Sequence, residues 1–137
     1  KLYHADSPTH QIKVYDFDAT AGTLSNGKVF VQTVDSVEPD GSTIDADGCL
    51  WNAEWGGSRL VRYTPEGAED FVLNTLVSQP TCMAFGGDEM NLLFVTSARI
   101  GLNDEALAAQ PEAGNLFIYR TDFKGVNECW YKASAAQ

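Results

Sequence analysis

Three copies of one pattern limit what this chain can fold into more than any other feature. Leu2-Tyr3, Leu50-Trp51 and Leu93-Phe94 stand 48 and then 43 residues apart. A second set follows in step: Ile12-Lys13-Val14-Tyr15, Leu60-Val61-Arg62-Tyr63 and Leu116-Phe117-Ile118-Tyr119. Its first two copies are again 48 apart, but the third lies 23 residues after Leu93 where the others follow by 10. The spacing predicts a 13-residue insertion around Ile100 to Gly114. Repeats of this length stack on one another, because one unit cannot bury its apolar face alone. A period near 45 with about four strands per repeat reads as propeller blades.

The punctuation agrees. Ser25-Asn26-Gly27, Pro39-Asp40-Gly41, Asp47-Gly48, Gly56-Gly57, Pro65-Glu66-Gly67 and Gly86-Gly87-Asp88 read as turns between short runs of strand length. Asp104 to Ala109 is the one stretch with a helical look, and it is too short to be stable alone. The fold class is therefore all-β. The second repeat predicts strands Gly41 to Asp45, Cys49 to Glu54, Arg59 to Tyr63 and Asp70 to Asn74. The third predicts Thr81 to Phe85, Leu92 to Ser97, Asn115 to Arg120 and a weak strand near Glu128 to Tyr131. The first repeat begins at Leu2, the position of a second strand, so its inner strand is missing. The chain then divides into a partial blade over residues 1–36, a blade over 37–78 and a blade with an insertion over 79–137. An open inner edge invites pairing, so the chain is expected to be incomplete or to need a partner. Its opening on Lys1 fits a chain processed or cut from something longer.

Composition removes several functions. The 137 residues fit one domain, and 44% are apolar, enough for a core. Nineteen acids against nine Lys and Arg give a net charge of −10, the wrong sign for nucleic acid or an anionic membrane surface. No apolar run approaches a membrane span, and no basic-then-apolar leader is present. Cys49, Cys82 and Cys129 form no C-x-x-C pair. They read as buried or half-buried thiols of a reducing compartment, which points to the cytoplasm.

In order and spacing, the motifs resemble one family over nearly the whole chain. They are Leu2-Tyr3-His4-Ala5-Asp6-Ser7-Pro8 with Val14-Tyr15-Asp16-Phe17-Asp18; Pro39-Asp40-Gly41 with Ile44-Asp45-Ala46-Asp47-Gly48 and Leu50-Trp51; and Trp55-Gly56-Gly57-Ser58-Arg59. Pro80-Thr81-Cys82, Phe85-Gly86-Gly87, Val95-Thr96-Ser97-Ala98-Arg99 and Gln110-Pro111-Glu112-Ala113-Gly114 complete the set. This set looks like the C-terminal half of a senescence-marker/gluconolactonase/regucalcin protein. The resemblance implies about three blades of a six-bladed β-propeller with one divalent cation in a central cleft. It also implies a sugar lactone as substrate, gluconolactone being the family's usual example. A lactonase works by polarising the lactone carbonyl on the cation while a carboxylate assists water.

Asp40 is the candidate residue. Pro39-Asp40-Gly41 alone reads as a β-turn; the resemblance makes Asp40 both metal ligand and catalytic base. The other ligands that the family implies, a glutamate and an asparagine, would lie upstream of Lys1. So would its substrate-contacting arginine and asparagine and its lid loop. One carboxylate does not choose among calcium, zinc, magnesium and manganese. A complementary propeller half or a second copy is the expected macromolecular partner. The alternative is a truncated, non-catalytic module that pairs with another half or binds calcium without turnover.

The remaining candidates read more plainly. Asp45 and Asp47 are turn residues at a strand end. His4 is a packed strand residue, and His10 is solvated in a polar loop. Trp51 is inter-blade core. Trp55 sits at a loop and is a minor candidate for lining the cleft, and Trp130 is the third tryptophan weighed for sugar stacking. Thr81 and Cys82 are minor candidates for bordering the channel, and Arg99 anchors a loop by ion pairing.

Overall fold

The computed structural model describes residues 1–128. Its ten strands form three antiparallel sheets. The first sheet joins β1 (Leu2–Asp6), β2 (Gln11–Asp18) and β3 (Thr23–Gln32), with a 3₁₀ turn, Ser7–Thr9, between the first two. The second joins β4 (Glu38–Ile44), β5 (Leu50–Trp55), β6 (Arg59–Tyr63) and β7 (Glu69–Asn74). The third joins β8 (Pro80–Gly86), β9 (Leu92–Ser97) and β10 (Leu116–Arg120). These are blades of a β-propeller, and among the described residues the first sheet has no strand beyond β1 on its inner edge.

Alternation along β5 and β6 builds the core on both faces of the second sheet. Trp51, Ala53 and Leu60 face Met83, Leu93 and Val95 of the third sheet. Leu50, Val61 and Tyr63 face Ile12 of the first, with Tyr3 and Phe30 against them. Successive strand residues point to opposite faces, so a sheet packed on both sides buries nearly every position of β5. Trp51 is fully buried between blades, as its alternation predicts. The other two sheets each keep one face open. Phe17, Leu24 and Val29 are 45–49% exposed on the first, and Leu116 and Ile118 are each 58% exposed on the third.

Several expected boundaries move. The inner strand predicted to start at Gly41 starts at Glu38 and ends at Ile44, leaving Asp45 in the following turn. Pro39-Asp40-Gly41 makes no turn. Pairing of β4 with β5 jumps from Pro39↔Glu54 to Ser42↔Asn52, so Asp40 and Gly41 together oppose Ala53. Asn26-Gly27 does the same in β3, where pairing with β2 jumps between Val14 and Asp16. Both sites are bulges, which take the same residue types as turns. Cys49 falls outside β5, β7 gains Glu69, β8 extends from Pro80 to Gly86, and β10 starts at Leu116. The insertion carries a helix, α1 (Asp104–Ala109), capped by the Asn103 side chain on the Ala106 amide. The weak strand expected near Glu128 to Tyr131 lies outside the described residues except for Glu128, which is in no strand. Cys129 and Trp130 also lie outside them.

Candidate functional site

Asp40 occupies the bulge of β4, the innermost strand of the second blade. A bulge re-aims a side chain and leaves backbone groups without ladder partners. Here the partner is the side chain of Asn52 on β5, whose Nδ2 donates to Asp40 O at 2.8 Å and to Ser42 Oγ at 2.9 Å. On the other side, Ser7 Oγ donates to Pro39 O at 2.8 Å. Gly41 lets the neighbouring inner strand approach: a Cβ there would stand 2.8 Å from Cys82 Cα. Asp40 itself is half-buried. Burial pushes its carboxyl above the ordinary carboxylate range, the Gly41 N–H draws it back, and the Glu38 charge adds to the rise.

Glu38 also lines a cleft of about 240 Å³ with Asp35, Ser36, Trp55, Gly56 and Gln79. Trp55, a minor candidate in the sequence, thus lines a cleft beside the strand that carries Asp40. Cys82 is exposed and Thr81 half-buried on β8, next to Gly41. His4 is exposed rather than packed, because it lies on the open face of β1. His10 is not solvated: half-buried with φ +56°, it donates from Nδ1 to Val37 O at 3.1 Å. Arg99 is exposed, and among the described residues it forms no ion pair; it lies along Gly114 instead.

Asp45 is more than a turn residue. Its carboxylate is 1% exposed and accepts from the amides of Asp47 and Cys49, both at 3.0 Å. It also accepts from Trp51 Nε1 at 2.9 Å and Arg62 Nε at 2.6 Å. Arg62 reaches on to Asp47 and Asp70 and lies 4.3 Å from the centre of the Phe123 ring. Burial alone would lower its pKa, but the bonds to Asp45 and Asp70 outweigh that and hold it above its ordinary value. A second buried carboxylate, Glu54, binds Tyr63 Oη and Arg59 Nε, each at 2.6 Å. Asp45 and Arg59 fall within sequence motifs, but Glu54 and Arg62 do not. The available signal was a charge inside each buried run, Glu54 in β5 and Arg62 in β6.

Asp40 is a hard oxygen donor of the kind that divalent cations such as calcium prefer. Those cations take six or more oxygens, and among the described residues no three His, Cys, Asp or Glu side chains converge.

The fold and site define about half of a β-propeller with a carboxylate on an inner strand. Residues 1–99 match the family described as the SMP-30/Gluconolactonase/LRE-like region, and the chain belongs to that family. It is 43% identical over 127 residues to an L-arabinolactonase of Azospirillum brasilense, covering 92% of this chain and 41% of that protein. It is 34% identical over 128 residues to a 6-deoxy-6-sulfogluconolactonase of Pseudomonas putida, covering 92% of this chain and 44% of that one. The crystal structure of a calcium-binding regucalcin from Agrobacterium tumefaciens superposes with a TM-score of 0.88 at 34% identity. That match takes in 96% of this chain and 45% of the other. The chain thus spans less than half the length of each of these relatives.

Proposed function

We propose that residues 1–137 form the C-terminal half of a metal-dependent sugar-lactone hydrolase, with a partial blade at 1–36, a blade at 37–78 and a blade with an insertion at 79–137. The observation that carries this reading is Asp40: a half-buried carboxylate of raised basicity, fixed on an inner strand and set in a chain whose relatives include named lactonases. In the proposed site Asp40 is a ligand of a divalent cation (calcium, zinc, magnesium or manganese), with the remaining ligands supplied from outside this chain. Such a cation would polarise the lactone carbonyl. Asp40 takes a proton from the attacking water as its oxygen bonds to the carbonyl carbon. The ring C–O bond then breaks, and the ring oxygen takes up a proton to give the hydroxy acid.

Chelation tests the reading. Full-length protein treated with EDTA and dialysed is expected to lose lactone hydrolysis and to regain it with one or more of the four cations. Undiminished hydrolysis after chelation would remove the metal from the proposal. Where hydrolysis is absent from metal-loaded protein with a panel of aldonolactones, the lactonase reading fails.

The partner follows from the open faces of the first and third sheets. Exposed apolar patches of this kind mark interfaces, and we assign them to a complementary propeller half or a second copy. Sedimentation of the isolated 137-residue chain is expected to show association. A monodisperse monomer that binds no hydrophobic dye would count against it. Among the described residues no helix is long and apolar enough to cross a membrane. The free thiols of Cys49 and Cys82 suit a reducing compartment, and the proposal places the protein in the cytoplasm.

A further inference from the structure

The peptides on both sides of the Asp40 Cα are held by side chains from different sheets. Ser7, in the 3₁₀ turn of the first sheet, donates to Pro39 O, and Asn52, on the second sheet, donates to Asp40 O. Two residues before Pro39 the chain is already fixed, because Val37 O accepts from Thr33 Oγ1 at 2.6 Å and from His10 Nδ1 at 3.1 Å. Two peptide planes flank each Cα, and fixing both fixes φ and ψ between them. The direction of the Cα–Cβ bond follows.

Asn52 is also badly placed for stability alone. It is fully buried, and its Oδ1 has no partner among the described residues. A buried polar oxygen left unpaired costs free energy that an apolar side chain of the same size avoids. Only the donor end of the amide is used, and it faces three oxygens: Asp40 O, Ser42 Oγ and, at 3.4 Å, Gly41 O. Those acceptors also settle which end of the amide is nitrogen.

We infer that Ser7 and Asn52 are positioning residues for the Asp40 carboxylate, clamping the two carbonyls that flank it. The inference rests on the reading of Asp40 as the working carboxylate. Because one half of the clamp comes from each sheet, the placement of Asp40 depends on the registry of two neighbouring blades.

The test uses Ser7→Ala, Ser7→Thr and Asn52→Leu in the full-length protein. Ser7→Ala removes one donor from a half-buried turn and leaves the core intact, so it remains informative if Asn52→Leu fails to fold. Two readouts separate the clamp from the reading. The first is amide exchange at Gly41 and Ser42 in metal-free protein, expected to quicken about fivefold in Ser7→Ala and in Asn52→Leu. The second is Mn²⁺ affinity by calorimetry together with kcat and KM for a lactone. Supporting groups of this kind typically change metal affinity or activity by about 10- to 100-fold. Affinity and kcat are therefore expected to fall by factors in that range, with KM little changed. Ser7→Thr keeps the hydroxyl and is expected to restore both readouts. Unchanged exchange in Ser7→Ala overturns the clamp, and so does a Ser7→Thr protein as impaired as Ser7→Ala. Faster exchange with wild-type affinity and turnover overturns the positioning role. If Asp40→Asn is then equally silent, the reading of Asp40 falls with it.

Discussion

Asp45→Asn is expected to destabilise the fold by about 3–5 kcal/mol, the cost of breaking a buried ion pair from one side. The carboxylate has four donors around it and no solvent: two backbone amides, the Trp51 indole and Arg62 Nε. An asparagine supplies one acceptor oxygen and one NH₂ group. Whichever way it turns, the NH₂ meets an N–H that needs an acceptor, and the buried Arg62 charge loses its most buried partner. The damage spreads because this turn is a junction. The Ala46 amide donates to Lys124 O at 2.7 Å, and Asp45 bridges Gly125, so the segment after β10 is tied to the β4–β5 turn. Phe123 of that segment packs on Trp51 with ring centres 5.3 Å apart. Asp47→Asn is the control. Its carboxylate is 72% exposed where it meets Arg62, and exposed pairs contribute roughly 0–1 kcal/mol. Chemical denaturation of the two variants in the full-length protein measures the difference. Equal, small losses would mean that the Asp45–Arg62 pair does not hold the junction.

The blades were legible because a repeat is a long-range signal. Three copies of Leu-aromatic followed by a Tyr-ended run fix three sheets even where single boundaries slip. The insertion was legible for the same reason, since a break in period locates itself, and its short helix showed in the local run Asp104 to Ala109. The bulges were not. Asn26-Gly27 and Pro39-Asp40-Gly41 carry turn chemistry, and local sequence does not say whether the chain reverses there or only buckles. That depends on whether the flanking residues pair with the next strand, as Pro39 and Ser42 both do with β5. Asp45 was hidden in the same way. Its place in Asp45-Ala46-Asp47-Gly48 suggests a turn, and it does lie in one. The partner that buries it, Arg62, is 17 residues on and meets it only because Trp51 and Arg62 pair across β5 and β6. Asn52 and His10 belong to no motif, and their roles appear only when the carbonyls of Val37 and Asp40 have coordinates. Asp40 was singled out by resemblance rather than by chemistry. The structure adds its half-burial, its bulge and the direction of its pKa.

Asp40→Asn is expected to move function and stability in opposite directions. The carboxyl is held above the ordinary carboxylate range, mainly by burial. The folded protein therefore keeps a proton on this group at pH values where the unfolded chain has released it. The stability contributed by that proton is full below the unfolded pKa and is lost as pH rises through the folded pKa. Once pH has risen past the folded pKa, ionised Asp40 is a net cost to the metal-free fold. Asparagine keeps the shape without the charge, so the thermal midpoint of metal-free Asp40→Asn should rise at pH 7, and the gain should vanish as pH falls through the carboxylate range. Turnover should fall steeply. Loss of a positioned acid or base alone costs about 10²- to 10⁴-fold, and weaker cation binding adds to it. A residue that costs stability while carrying activity is what a working site contains. Calorimetry of metal-free protein at pH 7 and pH 4, with lactone hydrolysis and Mn²⁺ titration, reads both signs. If Asp40→Asn hydrolyses lactone and binds cation at wild-type levels, Asp40 is not the working carboxylate. If instead its midpoint falls as that of Asp45→Asn does, Asp40 is a structural charge, and the activity of this propeller must be sought on another residue.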